Sequence, residues 1–243
     1  MKVPYSIAIP KILEKEGRNR IANQILKTLE VKISNMKELN CLDVGCSSGT
    51  VTYMLSNSFR KTIGVDVDEN AISVAESMYK KKNLKFLSMD AKKLGFGKET
   101  FDVIILNQVY EFVENPRKLA AEVYRVLKKG GLCYVGARNK ISFIEGQTGI
   151  PLVHFLPQQF VVKLLRLFKT SYYPANYLNY RKIRKLFRQF NVDDLTAQIL
   201  KNPKKYGYNS LTKYLFLLKL LPLWFLRKIV FLSPNFIFIC YKV

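Results

Sequence analysis

The run Asn-Cys-Leu-Asp-Val-Gly-Cys-Ser-Ser-Gly-Thr, residues Asn40 to Thr50, restricts the fold more than any other stretch of the chain. Leu39, Leu42 and Val44 form a short apolar run around Asp43, and glycines and small polar residues follow at once. That pattern predicts a buried parallel strand ending in a tight loop. Thr50 to Leu55 then put Val51, Met54 and Leu55 at helical spacing, so the loop delivers the chain into a helix whose first N–H groups lack partners within it. A polar ligand can sit there, and the glycine spacing narrows its identity. A dinucleotide fingerprint starting at Gly45 would need glycines where Ser47 and Thr50 stand. A phosphate-binding loop would need Gly-Lys-Ser/Thr, whereas Gly49 runs directly into Thr50.

Later landmarks fall in a consistent order. Thr62 to Val65 reads as a second short strand ending on Asp66, which lies 23 residues after Asp43. A carboxylate at that distance, at the tip of the next strand, can accept hydrogen bonds from two ribose hydroxyls. Asp68 is placed to cap a helix in which Ile72, Ala75 and Tyr79 share a face. Leu84 to Met89 forms a third strand closing on Asp90 and Ala91. Phe101 to Asn107 is almost continuously apolar, as a strand covered on both faces must be, and Asn107 marks its carboxyl end. Asn115-Pro116 opens a helix with the stripe Leu119, Val123, Val126 and Leu127. Lys128-Lys129-Gly130-Gly131 is expected to end that helix, with Leu132 to Ala137 as strand five.

With these residues in place, Leu-Asp-Val-Gly-Cys-Ser-Ser-Gly resembles the first motif of class I S-adenosylmethionine-dependent methyltransferases, in the variant with serine for the middle glycine. The succession of helix, Lys-Lys-Gly-Gly and strand resembles the Lys-Pro-Gly-Gly of the small-molecule branch, similar to type 11 methyltransferase domains, with Lys129 in place of proline. The resemblance covers residues 38 to 140. It implies an α/β fold, a Rossmann-like seven-stranded mostly parallel sheet with helices on both faces and a final antiparallel strand. It also implies S-adenosyl-L-methionine as cofactor. Asp43, Gly45, Cys46, Ser47 and Gly49 would lie against the methionine part and ribose, Asp66 at the ribose hydroxyls, Asp90 and Ala91 at the adenine, and Val67 would also belong to the cofactor site. Asn107 would contact cofactor or acceptor. Read from the residues alone, Asp43 and Asp90 could instead merely cap loops and the glycines merely allow turns, while Asn107 serves equally as a strand-end hydrogen-bonding residue.

At 243 residues the chain suits one large α/β domain. It divides into an N-terminal helical segment at 1–38, a cofactor-binding core at 39–140 and an acceptor or lid region at 141–243 that also supplies the last strands. The four cysteines, 41, 46, 133 and 240, lack metal-type spacing and read as buried residues of a reducing cytoplasm. Met1 to Pro10 does not read as a signal peptide, and Ile21, Ile25, Leu26 and Leu29 share one helical face.

Charge separates the two later parts. The net charge is +22; residues 1–140 hold 24 basic and 15 acidic residues, residues 141–243 hold 16 and 3. Such a field draws nucleic acid, an anionic membrane surface or an acidic substrate. Phe160 to Lys169 and Leu211 to Leu232 are rich in leucine and aromatics, yet lysines, arginines and Pro222 interrupt them, so they read as amphipathic helical insertions that lie on a membrane or cover a cleft. Their other reading is completion of the core. Asn179 can cap Tyr180 to Phe190, which has Ile183, Leu186, Phe187 and Phe190 on one side and five basic residues on the other. Val192 to Ile199 is expected as strand six and Phe236 to Lys242 as strand seven.

The linker from Arg138 to Pro157, with Gly146, Gly149, Pro151 and Pro157, is where acceptor chemistry is expected. His154, the single histidine, and Glu111 are the candidate catalytic bases; His154 equally suits a half-buried place among Leu152, Val153, Phe155 and Leu156. The resulting expectation is methyl transfer to a small-molecule, glycan or lipid-linked acceptor, O-methylation before other atoms. The place would be the cytoplasm, peripheral on the inner membrane face. An RNA or other nucleic-acid methyltransferase is the alternative, although Asn107-Gln108-Val109-Tyr110 lacks an Asn/Asp-Pro-Pro-Tyr motif and no Pro-Cys nucleophile occurs. A cofactor-binding scaffold without catalysis is the third. The oligomeric state is not legible.

Overall fold

Val103 and Ile105 turn to one face of the fourth strand, Ile104 and Leu106 to the other, and all four are buried. That alternation sets the architecture, because a strand apolar on both sides must lie between two helical layers. The computed structural model describes residues 15–142, 175–209 and 220–243, with 150, 156, 157, 160, 161, 163 and 218 between them.

The seven strands are β1 (Asn40–Val44), β2 (Lys61–Asp66), β3 (Leu84–Ser88), β4 (Phe101–Asn107), β5 (Leu127–Arg138), β6 (Asn191–Asp194) and β7 (Asn235–Tyr241), in the order β3-β2-β1-β4-β5-β7-β6. Strands β1 to β5 are parallel, β7 runs antiparallel to β5, and β6 is bonded to β7 alone. This is the Rossmann-like, mostly parallel sheet expected from the sequence.

Each helical layer takes one set of strand residues. On the Leu42, Val44, Ile104 and Leu106 face lie α4 (Pro116–Val126), through Leu119, Val123 and Val126, and α5 (Tyr180–Leu186), through Ile183. Against the Val103 and Ile105 face pack α1 (Lys15–Glu30) with Ala22, Ile25 and Leu29, α2 (Thr50–Leu55) with Val51 and Leu55, and α6 (Thr196–Lys201) with Ile199. α3 (Glu69–Met78) covers Leu84 and Phe86 through Ile72 and Ala75. α7 (Leu223–Ile229) turns Leu226 inward. The caps act as expected: Asp68, Asn115 and Asn179 accept backbone N–H groups of the first turns they precede. All four cysteines are buried and free.

Two expectations need correction. Lys128-Lys129-Gly130-Gly131 does not end a helix: α4 stops at Val126, and Leu127 already pairs with Phe101. The strand passes through a register shift between Phe101 and Val103, Gly130 takes φ 73°, and the Gly130 N–H donates to the Lys242 carbonyl. Cross-strand pairing here overrides helix-end chemistry. Val192 to Ile199 is likewise not one strand. Asp194 Oδ1 accepts the Thr196 N–H at 2.9 Å, a local turn that ends β6, and α6 begins at once. Most of Phe160 to Lys169, and 211–217 and 219 of the Leu211 to Leu232 run, lie outside the described residues.

Candidate cofactor and acceptor site

Strand order reverses between β1 and β4, so the crevice at their carboxyl ends is the place where open parallel sheets take ligands. Val44 is in register with Val65 and Leu106, and Asp66 with Ser88. The loops leaving β1, β2, β3 and β4 therefore form one continuous rim.

The loop after β1 is held tightly. The N–H groups of Gly45 and Cys46 both donate to the Val65 carbonyl, at 2.8 and 3.0 Å, and the Gly49 N–H donates to Cys46. Gly45, Ser47 and Gly49 all adopt positive φ (76°, 49° and 80°), a region in which a side chain is strained. A Cβ on Gly49 would stand 2.6 Å from the Phe86 ring, and one on Gly45 2.5 Å from Val109. Both glycines are thus required by close approach as well as by backbone angle. Ser47 is buried with its hydroxyl lacking any hydrogen-bond partner. A buried orphan hydroxyl in a strained loop suits a ligand that supplies the missing bond.

Asp66 stands at the tip of β2. Its carboxylate accepts the Ser47 N–H at 2.8 Å and the Asp68 N–H at 3.0 Å, which ties the β1 and β2 loops together. Burial, the largest cause, pushes its pKa up against those two bonds. Val67 beside it is 73% exposed, a large apolar side chain left on the rim. Asp90 turns its own loop by accepting the Lys92 N–H at 2.8 Å, and Ala91 follows. A cleft of about 610 Å³ opens beside it, lined by Asp90, Lys92, Lys93, Glu114, Asn115 and Lys118. Asn107 ends β4 with its carboxamide oxygen against Gly136 of β5, where a Cβ would collide with it. Asp43 is set further back. It is 4% exposed, accepts the Thr52 hydroxyl at 2.6 Å, and burial raises its pKa to about 7.

Glu111 lies in a short 3-10 turn (Tyr110–Phe112) after β4. It is 3% exposed, its Oε2 lacks a hydrogen-bond partner, and burial raises its pKa to about 8 against the pull of Arg138. Its backbone carbonyl accepts the Asn176 N–H at 2.7 Å, and Tyr110 donates its hydroxyl to the Arg138 carbonyl at 2.7 Å. The chain after β5 is thereby bound to the chain after β4. His154 lies outside the described residues, as do Gly146, Gly149 and Pro151.

Sequence reasoning missed Gln108, Val109 and Thr52. Gln108 has φ 55° and donates its N–H to Gly136 at 2.7 Å, a strained residue exposed on the rim. No residue pattern announces it, because β5 imposes the angle. Thr52 had a signal: a hydroxyl one turn into α2, beneath a buried aspartate. Among the described residues no cluster of His, Cys, Asp and Glu could hold a metal ion, and no helix is long and apolar enough to cross a membrane.

Residues 42–135 match the family model described as a methyltransferase domain. With the sheet order, the matched segment is that of a class I S-adenosylmethionine-dependent methyltransferase domain. Within that class it is 29% identical over 133 residues to the malonyl-[acyl-carrier protein] O-methyltransferase of Bacillus anthracis, covering 54% of this chain and 49% of that one. It is 34% identical over 111 residues to the demethylmenaquinone methyltransferase of Lactococcus lactis, covering 43% and 44%. The S-adenosylmethionine-dependent methyltransferase of Mesorhizobium loti shares the fold, with a TM-score of 0.57 at 16% identity over 88% of this chain and 96% of that one. The chain spans about half the length of the two curated relatives.

Proposed function

We propose that this chain transfers the methyl group of S-adenosylmethionine to an oxygen of a small-molecule acceptor, a lipid-linked one met at an anionic membrane surface. One observation carries the reading: neighbouring strand tips bear a strained loop with an orphan buried hydroxyl, a carboxylate and an exposed valine. Asp66 would accept the ribose hydroxyls, Val67 and Ala91 would flank the adenine, Asp90 would accept its amino group, and Ser47 and the loop glycines would hold the amino-acid end. Asp43 supports α2 beneath that loop through Thr52, and Asn107 borders the acceptor.

The cofactor's sulfonium supplies an already activated methyl carbon, so the protein's work is to align the acceptor oxygen and exclude water. Glu111 is the group proposed to take the acceptor proton. A carboxylate whose pKa is raised to about 8 is basic enough to accept from a hydroxyl, and its buried, unpartnered Oε2 is the oxygen that would do so. The names of the two relatives, a malonyl-[acyl-carrier protein] O-methyltransferase and a demethylmenaquinone methyltransferase, support a small or carrier-linked acceptor. The excess of 16 basic over 3 acidic residues after position 140 supports the anionic surface.

A second reading, RNA as acceptor, has one observation in its favour. A groove of about 650 Å³ between α4 and α5 is lined by Arg117, Lys182, Lys185 and Arg188. Incubating the protein with methyl-labelled S-adenosylmethionine and either extracted lipid or total RNA separates the two. Label in the lipid fraction is the expected result. Label in RNA alone selects the second reading, and label in neither, with no calorimetric heat for S-adenosylhomocysteine, overturns both.

A further inference from the structure

Large apolar side chains normally leave water when a helix packs on a core. α7 and its flanks do so only in part: Leu226 and Val230 are buried, but Leu220 is 70% exposed, Trp224 60% and Leu232 57%, with Phe225 and Phe231 also outside. Five such residues within thirteen positions form an apolar surface the fold does not need, since the helix is already anchored by its inward side. Arg227 and Lys228 border it, both exposed, and Lys228 Nζ lies 5.1 Å from the centre of the Trp224 ring.

Two further observations point to what covers this surface. Residues 195–243 carry eight lysines and arginines and not one aspartate or glutamate. Two copies meeting through this face would bring like charges together, whereas an anionic bilayer meets both the charge and the apolar side chains. The surface is also fixed in place. Asn139, fully buried directly after β5, donates its side-chain amide to the Phe231 and Ser233 carbonyls, both at 2.8 Å, and its backbone N–H to Pro234. The carboxyl end of β5, next to the Glu111 turn, is therefore bound rigidly to the exposed apolar run.

We infer that Leu220, Trp224, Phe225, Phe231 and Leu232, with Arg227 and Lys228, form the surface by which this protein docks on an anionic lipid bilayer. Through Asn139 the docked surface holds the acceptor crevice at the membrane. Aromatic and leucine side chains enter the headgroup boundary, the two cations meet lipid phosphates, and an acceptor reaches the strand tips without crossing bulk water. This inference rests on the membrane part of the proposed function and names the surface that part requires.

Trp224 is the only tryptophan, so the full chain carries its own reporter. The probes are vesicles of phosphatidylcholine alone and of phosphatidylcholine with phosphatidylglycerol. Mixed vesicles are expected to sediment the protein, shift Trp224 emission to the blue and allow quenching by brominated acyl chains. High salt should weaken all three. The triple variant Phe225→Ser, Phe231→Ser, Leu232→Ser should lose at least about tenfold in vesicle affinity. Arg227→Gln with Lys228→Gln should lose the preference for the anionic mixture. Both variants should keep the wild-type circular dichroism and S-adenosylhomocysteine heat. Sedimentation with an unshifted, unquenched Trp224 overturns this surface and leaves the membrane reading standing. No sedimentation of a protein that still binds S-adenosylhomocysteine overturns both and leaves methyl transfer standing. A blue shift that grows with protein concentration in the absence of lipid shows a second copy on this face and also overturns the inference.

Discussion

The stretch from β1 to β5 and the stretch from α5 onward use the same apolar residue types for different ends. In the first, most large apolar side chains are spent on the sheet, and two strained residues, Ser47 and Gln108, sit at the carboxyl tips of the strands. In the second, Phe187, Phe236 and Phe238 are wholly buried while Trp224, Phe231 and Leu232 stand in water. Residue type alone therefore does not tell scaffold from contact surface. Position relative to the sheet does, and charge supports the division, because the excess of basic residues lies in the later stretch.

The sharpest break between the two uses comes from Phe187→Ala. This ring is fully buried and lies 6.0 Å from the Phe190 ring, so its loss should cost about 3–5 kcal/mol and lower Tm by roughly 10 °C in a thermal melt. Next, Asp66→Ala removes the proposed ribose acceptor and the anchor of Ser47 and Asp68. Calorimetry should show S-adenosylhomocysteine binding weakened by about a hundredfold or more, with Asp66→Asn less affected. Glu111→Gln should lower kcat for a hydroxyl acceptor by about a hundredfold. It should also remove the rise in rate that wild type shows as pH passes about 8, where the carboxylate form becomes dominant. A rate profile left unchanged by the Glu111→Gln substitution would make this carboxyl structural.

A smaller effect concerns stability against pH. Burial raises Asp43 to about 7 and Glu111 to about 8, so between pH 5 and 7 the folded chain keeps protons that the unfolded chain releases. Stability should fall with rising pH over that window, by at most about 1.4 kcal/mol per unit for each group, and level off above 8. Denaturant titrations of Asp43→Asn and Glu111→Gln should each show a flatter slope. Smallest of all, Trp224→Ala should leave folding stability within about 0.5 kcal/mol. A larger loss would assign this side chain to the scaffold and erase the contrast with Phe187.

Much of the first stretch was legible because local chemistry and fold agree there. Asp68 and Asn115 cap helices as their neighbours predicted, and β4 spans the residues its apolar run marked. The failures have a common cause. Local signals point to a helix end at Lys128 to Gly131 and to one strand over Val192 to Ile199, but Phe101 of β4 with Lys242 decides the first and an aspartate turn the second. Gln108 was hidden for the same reason: its backbone angle is imposed by a carbonyl 28 positions away, at Gly136. The surface of α7 could be suspected from its composition, yet which of its residues face inward depends on Asn139 and the β5 end.

The arrangement in which β6 is bonded to β7 alone has a consequence for biosynthesis. While the ribosome is still adding Asn235 to Tyr241, the segment Asn191 to Asp194 has no strand to join, although β1 to β5 have long been exposed. This edge of the sheet is therefore completed last, only once Asn235 to Tyr241 are available to receive Asn191 to Asp194.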